Sequence, residues 1–266
     1  MDLTSFQTYL SINVSQKTTM NYVNQMAGFF RCHSEFTQEE VNKYLASKVD
    51  RWSDGSYNAF FKAVIWYVKF TKIPIELPEF KKVERKPRTY LKEKDIEDIL
   101  IKIPLIFGDG QKIQIIFELL FMSGLRPEEL LTLKRNNINI EESKIVLVET
   151  KTRFSRTVFI PKELAIRISN YFNSEPEKEN AFNLNNQSLG YYCRTISKHL
   201  NINIYPYMTR HSFAHAYYRR SGNDIVALAK LLGHTNLSST QVYSDIDEKE
   251  LKEKYNRAFK NKRRKK

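Results

Sequence analysis

Apolar and polar residues alternate with helical spacing over roughly the first seventy positions. Four apolar residues of the segment SYNAFFKAVIWYVKF fall on one helical stripe, and they are Phe60, Val64, Tyr67 and Val68. Thr37 and Glu40 match a capping box at the start of QEEVNKYLASKV, which predicts a helix there. Because no strand-like alternation interrupts this pattern, we expect residues 1–76 to form a helical domain.

The pattern changes between Ile73 and Tyr90, where the sequence is IPIELPEFKKVERKPRTY. Its three prolines disfavour a regular helix or sheet, and lysines and arginines are concentrated in it. We therefore expect an extended basic linker over residues 77–90 and a second domain over residues 91–266.

Helical spacing resumes in the second domain and is interrupted by two β-rich runs. We expect Gly124 to end the helix in KIQIIFELLFMSG and Pro127 to begin the next one. The runs KIVLVET and RTVFIP are joined by KTRFS, which predicts a hairpin with Lys151 at its bend. Thr209 and Asp224 are candidate N-caps of later helices. The predicted fold is mainly α with a small β-hairpin or sheet.

The charge of the chain indicates what kind of partner it binds. Its 266 residues include 43 Lys and Arg against 30 Asp and Glu, a formal net charge of +13. A polyanion is therefore the expected partner, and nucleic acid fits this expectation better than a membrane. No apolar run approaches the roughly 20 residues that span a bilayer, and MDLTSFQTYLSINVSQ lacks the basic head and apolar core of a signal peptide. We expect a cytoplasmic protein.

The two cysteines give no sign of a metal or disulfide site. Cys32 and Cys193 have no CxxC or Cys/His partner at a ligand-like spacing. We expect buried or free thiols, no metal and no cofactor.

The linker carries cations that could contact phosphates. They are Lys81, Lys82, Arg85, Lys86 and Arg88. Lysine and arginine side chains bind the nucleic-acid backbone by displacing its counterions. The alternative is a solvated connector with no role in binding, and the sequence leaves both open.

Four stretches of the second domain carry the chemistry: SGLRPEEL, ETKTRFSR, YPYMTRHSF and LGHTNLSSTQVY. In order and spacing they resemble the catalytic domain of tyrosine recombinases, the family of phage-type integrases and Xer-type resolvases. The resemblance extends from about Tyr90 to Tyr243. It implies a mixed α+β catalytic domain, and the helical first half looks like the family's core-binding domain, which with the catalytic domain forms a clamp around DNA.

The resemblance also implies a role for five residues. Arg126 and Arg210 correspond to the two catalytic arginines, Lys151 to the hairpin lysine, His234 to the late histidine, and Tyr243 to the nucleophile. These residue types suit phosphoryl transfer, because guanidinium forks can bind the non-bridging oxygens on which negative charge builds.

Further residues of the same stretches are candidates for supporting roles. Glu129, three residues after Arg126, is placed to orient its guanidinium. Arg153 and Arg156 could supply charge to DNA much as Lys151 would.

One position departs from the family pattern. Tyr207 stands where the family usually has a histidine, three residues before Arg210. A phenol can donate a hydrogen bond to a phosphate oxygen, although it is a poor base near neutral pH. His211 matches another frequent histidine of the motif, and we favour a structural role for it.

The resemblance implies a site-specific recombinase that cleaves and rejoins double-stranded DNA through a covalent 3′-phosphotyrosine, and works as a tetramer on DNA. Two alternatives stay open: a recombinase-like protein that binds DNA with weakened catalysis, and a type IB topoisomerase-like strand relaxer. The segment after Tyr243 has apolar residues at helical spacing, namely Ile246, Leu251, Tyr255 and Phe259. In the family this segment docks on a neighbouring protomer, and the alternative is that it folds back on its own domain.

Overall fold

The computed structural model describes residues 3–83, 89–148, 155–176, 178–234 and 240. Two compact units divide the chain between residues 86 and 87. The division falls beyond the predicted end of the first domain at residue 76, because the intervening segment is bonded to the first unit. Gln38 exchanges hydrogen bonds with the backbone of Glu76, and Asn58 does the same with Lys81.

The first unit is a bundle of four helices: α1 (Thr4–Asn13), α2 (Gln16–Phe30), α3 (Gln38–Ala46) and α4 (Asp54–Thr71). Three of them begin at a hydroxyl side chain that accepts an N–H of the first turn, namely Ser15, Thr37 and Ser53. The core is rich in aromatic rings, with Phe6, Phe29, Phe60 and Phe61 fully buried. The predicted stripe of α4 faces this core.

The second unit contains seven helices in its described part: α5 (Glu93–Ile106), α6 (Gly110–Ser123), α7 (Pro127–Leu131), α8 (Lys162–Ser174), α9 (Asn186–Leu200), α10 (Pro206–Arg220) and α11 (Ile225–Leu232). A 3-10 turn covers Arg135–Asn137. Helix α6 is apolar on nearly all sides because it contacts α5, α8, α10 and the sheet.

A small antiparallel sheet lies between α7 and α8. Its strands are β1 (Ile138–Asn139), β2 (Lys144–Val148) and β3 (Ser155–Phe159), in that order across the sheet. Strands β2 and β3 pair with Ile145 opposite Val158, both of which are fully buried. The mainly helical fold and the hairpin strands are confirmed, while the two-residue strand β1 was not predicted.

Gly124 ends α6, and its backbone conformation lets the chain turn toward Arg126. Its φ of +64° lies in the left-handed region, where residues other than glycine are strained. A Cβ on Gly124 would also lie 2.3 Å from a ring carbon of Phe213 on α10. Both conditions require glycine, as the sequence predicted for the end of this helix.

One predicted helix start and one predicted capping box differ from the structure. Helix α10 begins at Pro206, a turn before the predicted cap, because proline suits the first position of a helix. Thr209 lies inside that helix, and its hydroxyl donates to the carbonyl of Pro206. Thr37 caps α3 as expected, but the Glu40 carboxylate bonds His33 and Lys43. Asp224 caps α11 as predicted, by accepting from the N–H of Ala227.

Among the helices that the structure describes, none combines the length and the apolar character that crossing a bilayer requires.

Replacing Gly124 by alanine should destabilise the second unit more than the same change at Gly222. Gly222 has a similar φ of +70°, but a Cβ there would meet no atom within 4 Å, so Gly222→Ala should cost only the left-handed strain, about 1–2 kcal/mol. Gly124→Ala adds the clash with Phe213, for a further cost of about 1–3 kcal/mol. Urea titrations followed by far-ultraviolet circular dichroism should give midpoints that fall in the order wild type, Gly222→Ala, Gly124→Ala. Equal midpoints for the two variants would contradict the packing argument.

Candidate functional site

Three arginines from separate parts of the second unit converge on the C-terminal end of α11. Arg156 Nε donates to the carbonyl of Leu231 over 3.1 Å, and Arg210 Nη2 donates to that of Leu232 over 2.7 Å. Arg126 Nη2 donates to the carbonyl of Gly233 over 3.1 Å. Each of three consecutive carbonyls therefore accepts from a different guanidinium. The partial negative charge at a helix C-terminus favours cations at this point.

Arg126 is held by the helix that follows it. It is the N-cap of α7, and Glu129 occupies the third position of that helix. One carboxylate oxygen of Glu129 accepts from the Arg126 backbone N–H at 2.6 Å, and the other accepts from Arg126 Nη1 at 2.8 Å. The structure therefore places Glu129 where the sequence suggested that it would orient Arg126.

The same carboxylate is shared with Arg156 on β3. Arg156 Nη1 and Nη2 donate to the two oxygens of Glu129 over 2.6 and 2.7 Å. Burial raises the pKa of Glu129, but the hydrogen bonds and charge of Arg156, followed by the hydrogen bonds of Arg126, leave that pKa below its ordinary value. Glu129 is accordingly an ionised acceptor between two cations at neutral pH.

Arg156 points inward, which differs from its expected place on the DNA-facing surface. Its side chain is only 10% exposed, and Glu129 and Leu231 occupy its three nitrogens. The period of two along a strand puts Arg156 on the same face as the buried Val158. This alternation was the available signal for an inward side chain.

Arg210 lies deepest of the three arginines, with 4% of the residue exposed. Its Nη1 donates to the carbonyl of Gly124 over 2.7 Å, and its Nη2 lies 3.2 Å from His234 Nε2. Because a guanidinium only donates, Nε2 is the acceptor, and we assign the proton of a neutral imidazole to Nδ1. Nδ1 then donates to the hydroxyl of Thr240 over 2.7 Å. Nothing in the sequence indicated this role for Thr240.

Tyr207 lies in the first turn of α10 and donates its hydroxyl hydrogen to Glu128 Oε2 over 2.7 Å. Burial raises the pKa of Tyr207 to about 12, with the hydrogen bond and charge of Glu128 adding to the rise against the smaller opposing effects of Arg126 and Arg210. The phenol is therefore neutral near pH 7. Its partner Glu128 was not anticipated, because the two residues are far apart in sequence.

Several predicted site residues lie outside the described residues: Lys151, Arg153 and Tyr243, together with the linker cations Arg85, Lys86 and Arg88. Two linker cations are described. Lys82 is exposed, while Lys81 Nζ lies 4.2 Å from the centre of the Tyr57 ring and 3.7 Å from a carboxylate oxygen of Asp54. His211, next to Arg210, is half-buried.

An apolar groove opens beside Arg156 and the end of α11. Its volume is about 1080 Å³, and it extends from β3 to α10 and α11 as far as Gly233 and His234. Phe159, Phe213 and Tyr217 are among its lining residues, and Phe159 is 61% exposed. We name this feature the β3–α11 groove.

Chemically, the arrangement is a set of fixed cations that can stabilise an anion forming beside them. Arg126 is the most exposed of the three arginines, with 28% of its side chain accessible. Guanidinium groups held in advance by protein partners need little reorganisation when charge develops nearby. Within the described ranges no group of three or more His, Cys, Asp or Glu is arranged to hold a metal ion.

Comparison with protein families identifies the second unit. A sequence model described as the phage integrase family matches residues 89–250. The matched range contains all four motifs noted in the sequence, including the positions of Arg126, Arg210 and Tyr243.

Named relatives and solved structures agree with this match. Tyrosine recombinase XerA of Pyrococcus horikoshii is 28% identical over 270 residues, which cover 96% of this chain and 93% of the relative. Tyrosine recombinase XerC of Bacillus subtilis is 25% identical over 285 residues, with coverages of 94% and 93%. The fold is similar to that of XerH recombinase bound to its difH substrate in a pre-cleavage complex, with a TM-score of 0.72, 16% identity, and coverage of 91% of this chain and 80% of that one.

Proposed function

Because the chain belongs to the phage integrase family, we propose that it is a site-specific recombinase that cleaves and rejoins double-stranded DNA through a covalent 3′-phosphotyrosine at Tyr243. The observation that carries this proposal is the convergence of three arginines, Arg126, Arg156 and Arg210, on the end of α11. In sequence, α11 comes shortly before the segment that contains Tyr243.

In the proposed reaction, the Tyr243 oxygen attacks the scissile phosphorus and passes its proton to a base, for which His234 Nε2 is the proposed acceptor. The bond from phosphorus to the DNA 5′-oxygen breaks, and that oxygen leaves with a proton, for which Lys151 is the proposed donor. Arg126 and Arg210 stabilise the negative charge that builds on the non-bridging oxygens. Attack by a free 5′-hydroxyl reverses the step, so the strand is resealed without ATP.

His234 and Thr240 support Arg210 in this scheme. With Nδ1 protonated toward Thr240, the imidazole presents Nε2 to the guanidinium and keeps Arg210 from rotating away. Because the ring nitrogen facing Arg210 is unprotonated, it could also receive a proton once the phosphate displaces that contact.

Tyr207 has a single hydroxyl proton, and Glu128 accepts it in the described structure. To donate to a phosphate oxygen, the phenol has to leave Glu128. This contact is the specific observation that favours a second candidate, a recombinase-like protein that binds DNA but cleaves it weakly.

DNA binding is assigned to both units. We propose that the first unit is the core-binding domain. We propose also that the segment over residues 77–90 is a basic connection that contacts the phosphate backbone. Lys82 is an exposed cation in the described part of this segment. The cytoplasmic location inferred from the sequence stays a prediction.

Changing Tyr243 to Phe should abolish the covalent adduct while leaving DNA affinity nearly unchanged, because only the phenolic oxygen becomes bonded to phosphorus. A nicked suicide substrate that traps the adduct, resolved on a denaturing gel, would measure it, and a gel shift would measure binding. Wild-type protein that binds its site without forming an adduct would favour the weakened DNA-binding protein. An adduct in the Tyr243→Phe variant would place the nucleophile on another residue.

Tyr207→Phe should slow cleavage by roughly 10- to 100-fold, the cost of losing a hydrogen bond to a charged group of about 1.5–3 kcal/mol. Since the pKa of Tyr207 is about 12, the phenol stays protonated at neutral pH, and removing it should not change the pH profile of cleavage there. Tyr207→His should retain activity and gain rate relative to wild type as pH falls through about 6.5, where imidazole becomes a cation.

Tyr205→Phe is the matched control for Tyr207→Phe. Tyr205 is the N-cap of the same helix, and its hydroxyl lies 3.0 Å from that of Thr89. Its loss should leave the single-turnover rate at the wild-type value. A Tyr207→Phe variant that cleaves as fast as Tyr205→Phe would remove Tyr207 from the mechanism.

We further propose that the protein assembles as a tetramer on two DNA duplexes, with the segment after Tyr243 docked in the β3–α11 groove of a neighbouring protomer. The apolar stripe of that segment needs a surface to cover it, because a short charged helix does not bury such a stripe alone. The groove offers an apolar surface beside the arginines, with Phe159 largely exposed on it.

Truncation after Asp247 should leave binding to a single site largely intact and impair two-duplex assembly and strand exchange, because it removes three of the four apolar residues of the stripe. Truncation after Phe259 keeps the stripe and removes KNKRRKK, so it should chiefly weaken DNA affinity. Gel shifts with one and two sites, with a recombination assay at saturating DNA, would separate the effects. If the Asp247 truncation recombines as fast as wild type, docking of this segment is not part of the mechanism.

A further inference from the structure

Arg156 contacts two groups that hold Arg126 in place, namely Glu129 and Gly233. It donates to the two oxygens of Glu129, and Glu129 in turn binds the backbone and guanidinium of Arg126. Its aliphatic stem lies directly against Gly233, since a Cβ on that glycine would be 2.7 Å from Arg156 Cδ. The carbonyl of Gly233 is a further acceptor for Arg126.

The net charge of the cluster formed by Arg126, Glu129 and Arg156 depends on Arg156. Arg126 and Glu129 alone would form a neutral pair, whereas the three residues together keep one net positive charge. The side chains of Glu129 and Arg156 are 15% and 10% exposed, so solvent screens this difference only in part. The two-pronged contact also directs the Glu129 charge toward Arg156.

We propose that Arg156 is a positioning residue for DNA cleavage: it binds the charge of Glu129, so that the positive charge of Arg126 is available to the scissile phosphate, and it holds the end of α11 where Arg126 is bound. The inference rests on the proposed recombinase function and adds a residue that acts on cleavage through Glu129 and Arg126. It also gives β3 a direct role in the geometry of Arg126.

The test compares Arg156→Ala, Arg156→Lys, Glu129→Gln and the Arg156→Ala/Glu129→Gln double variant. Single-turnover cleavage of a suicide substrate at saturating DNA measures the chemical step, and gel shifts measure affinity. Arg156→Ala should lose on the order of 100-fold in cleavage rate, as expected when a preorganised donor is disturbed, with a much smaller loss of affinity. Arg156→Lys should recover part of this loss, because it restores the charge without the fork.

The double variant distinguishes charge balance from simple loss of packing. Glutamine at position 129 has no negative charge to pair with the Arg126 guanidinium. The double variant should therefore cleave about tenfold faster than Arg156→Ala. Such non-additivity is expected of residues in one network. A double variant as slow as Arg156→Ala, or slower, overturns the proposal.

Arg167→Ala is the matched control for loss of an arginine–glutamate pair. Arg167 on α8 bonds Glu118 and Gln114 on α6, away from the end of α11. It should lower the thermal unfolding temperature and leave the cleavage rate at saturating DNA unchanged. An Arg156→Ala variant that behaves in the same way would show that Arg156 only stabilises the fold.

A crystal structure of Arg156→Ala tests positioning independently of activity. We expect the Arg126 guanidinium to leave the Gly233 carbonyl or to close on Glu129. If the Arg126 guanidinium keeps its wild-type position and contacts in the variant, the inference is overturned, whether or not the variant cleaves DNA. Failure of the wild type to form an adduct would instead overturn the proposed function, while this structural comparison would still decide the role of Arg156.

Discussion

The site depends on the way α11 ends. Gly233 adopts a left-handed conformation there, and the carbonyls of Leu231, Leu232 and Gly233 each accept from a different arginine. Three guanidinium groups so close together repel one another, and burial makes that repulsion stronger. The helix terminus, together with the carboxylate of Glu129, offsets it. The turn after α11 therefore decides whether the cations can occupy one site at all.

These contacts fix the arginines before any substrate is bound. Arg210 is almost completely buried and donates to the carbonyls of Gly124 and Leu232, so its orientation does not depend on a phosphate. Preorganised donors of this kind contribute to catalysis because they do not have to be reoriented as charge develops. This arrangement makes the site sensitive to mutation. Because the cations are buried, the loss of one partner would leave a buried charge unpaired, which costs free energy. Helices α6, α10 and α11 and strand β3 are consequently coupled through polar contacts as well as through their apolar core.

The sequence predicted the features that depend on neighbours in the chain. Gly124 at the end of α6, Asp224 at the start of α11 and the strands of the hairpin follow from local turn, cap and alternation rules. The helix start at Thr209 was wrong because two local signals competed, and proline at the first helical position prevailed.

The site itself could be predicted only in its residue types. The motifs named the two arginines, the late histidine and the glutamate, and they suggested that Glu129 orients Arg126, but they did not indicate the carbonyl acceptors at the end of α11. The inward direction of Arg156 was available from strand alternation, whereas the bond from Tyr207 to Glu128 joins two helix starts that only the tertiary fold brings together. Pairings of this kind depend on how whole helices and strands pack together, and local patterns in a single sequence do not reveal that packing.

The contact between Gly233 and Arg156 also limits how this protein can evolve. Position 233 has to adopt a left-handed φ of +63° and leave room for the stem of an arginine on another strand. Asparagine tolerates the first condition but not the second, so it could enter only after position 156 had become smaller. The two positions, which are far apart in sequence, therefore have to change in a fixed order, and an arginine retained at 156 keeps the glycine in place.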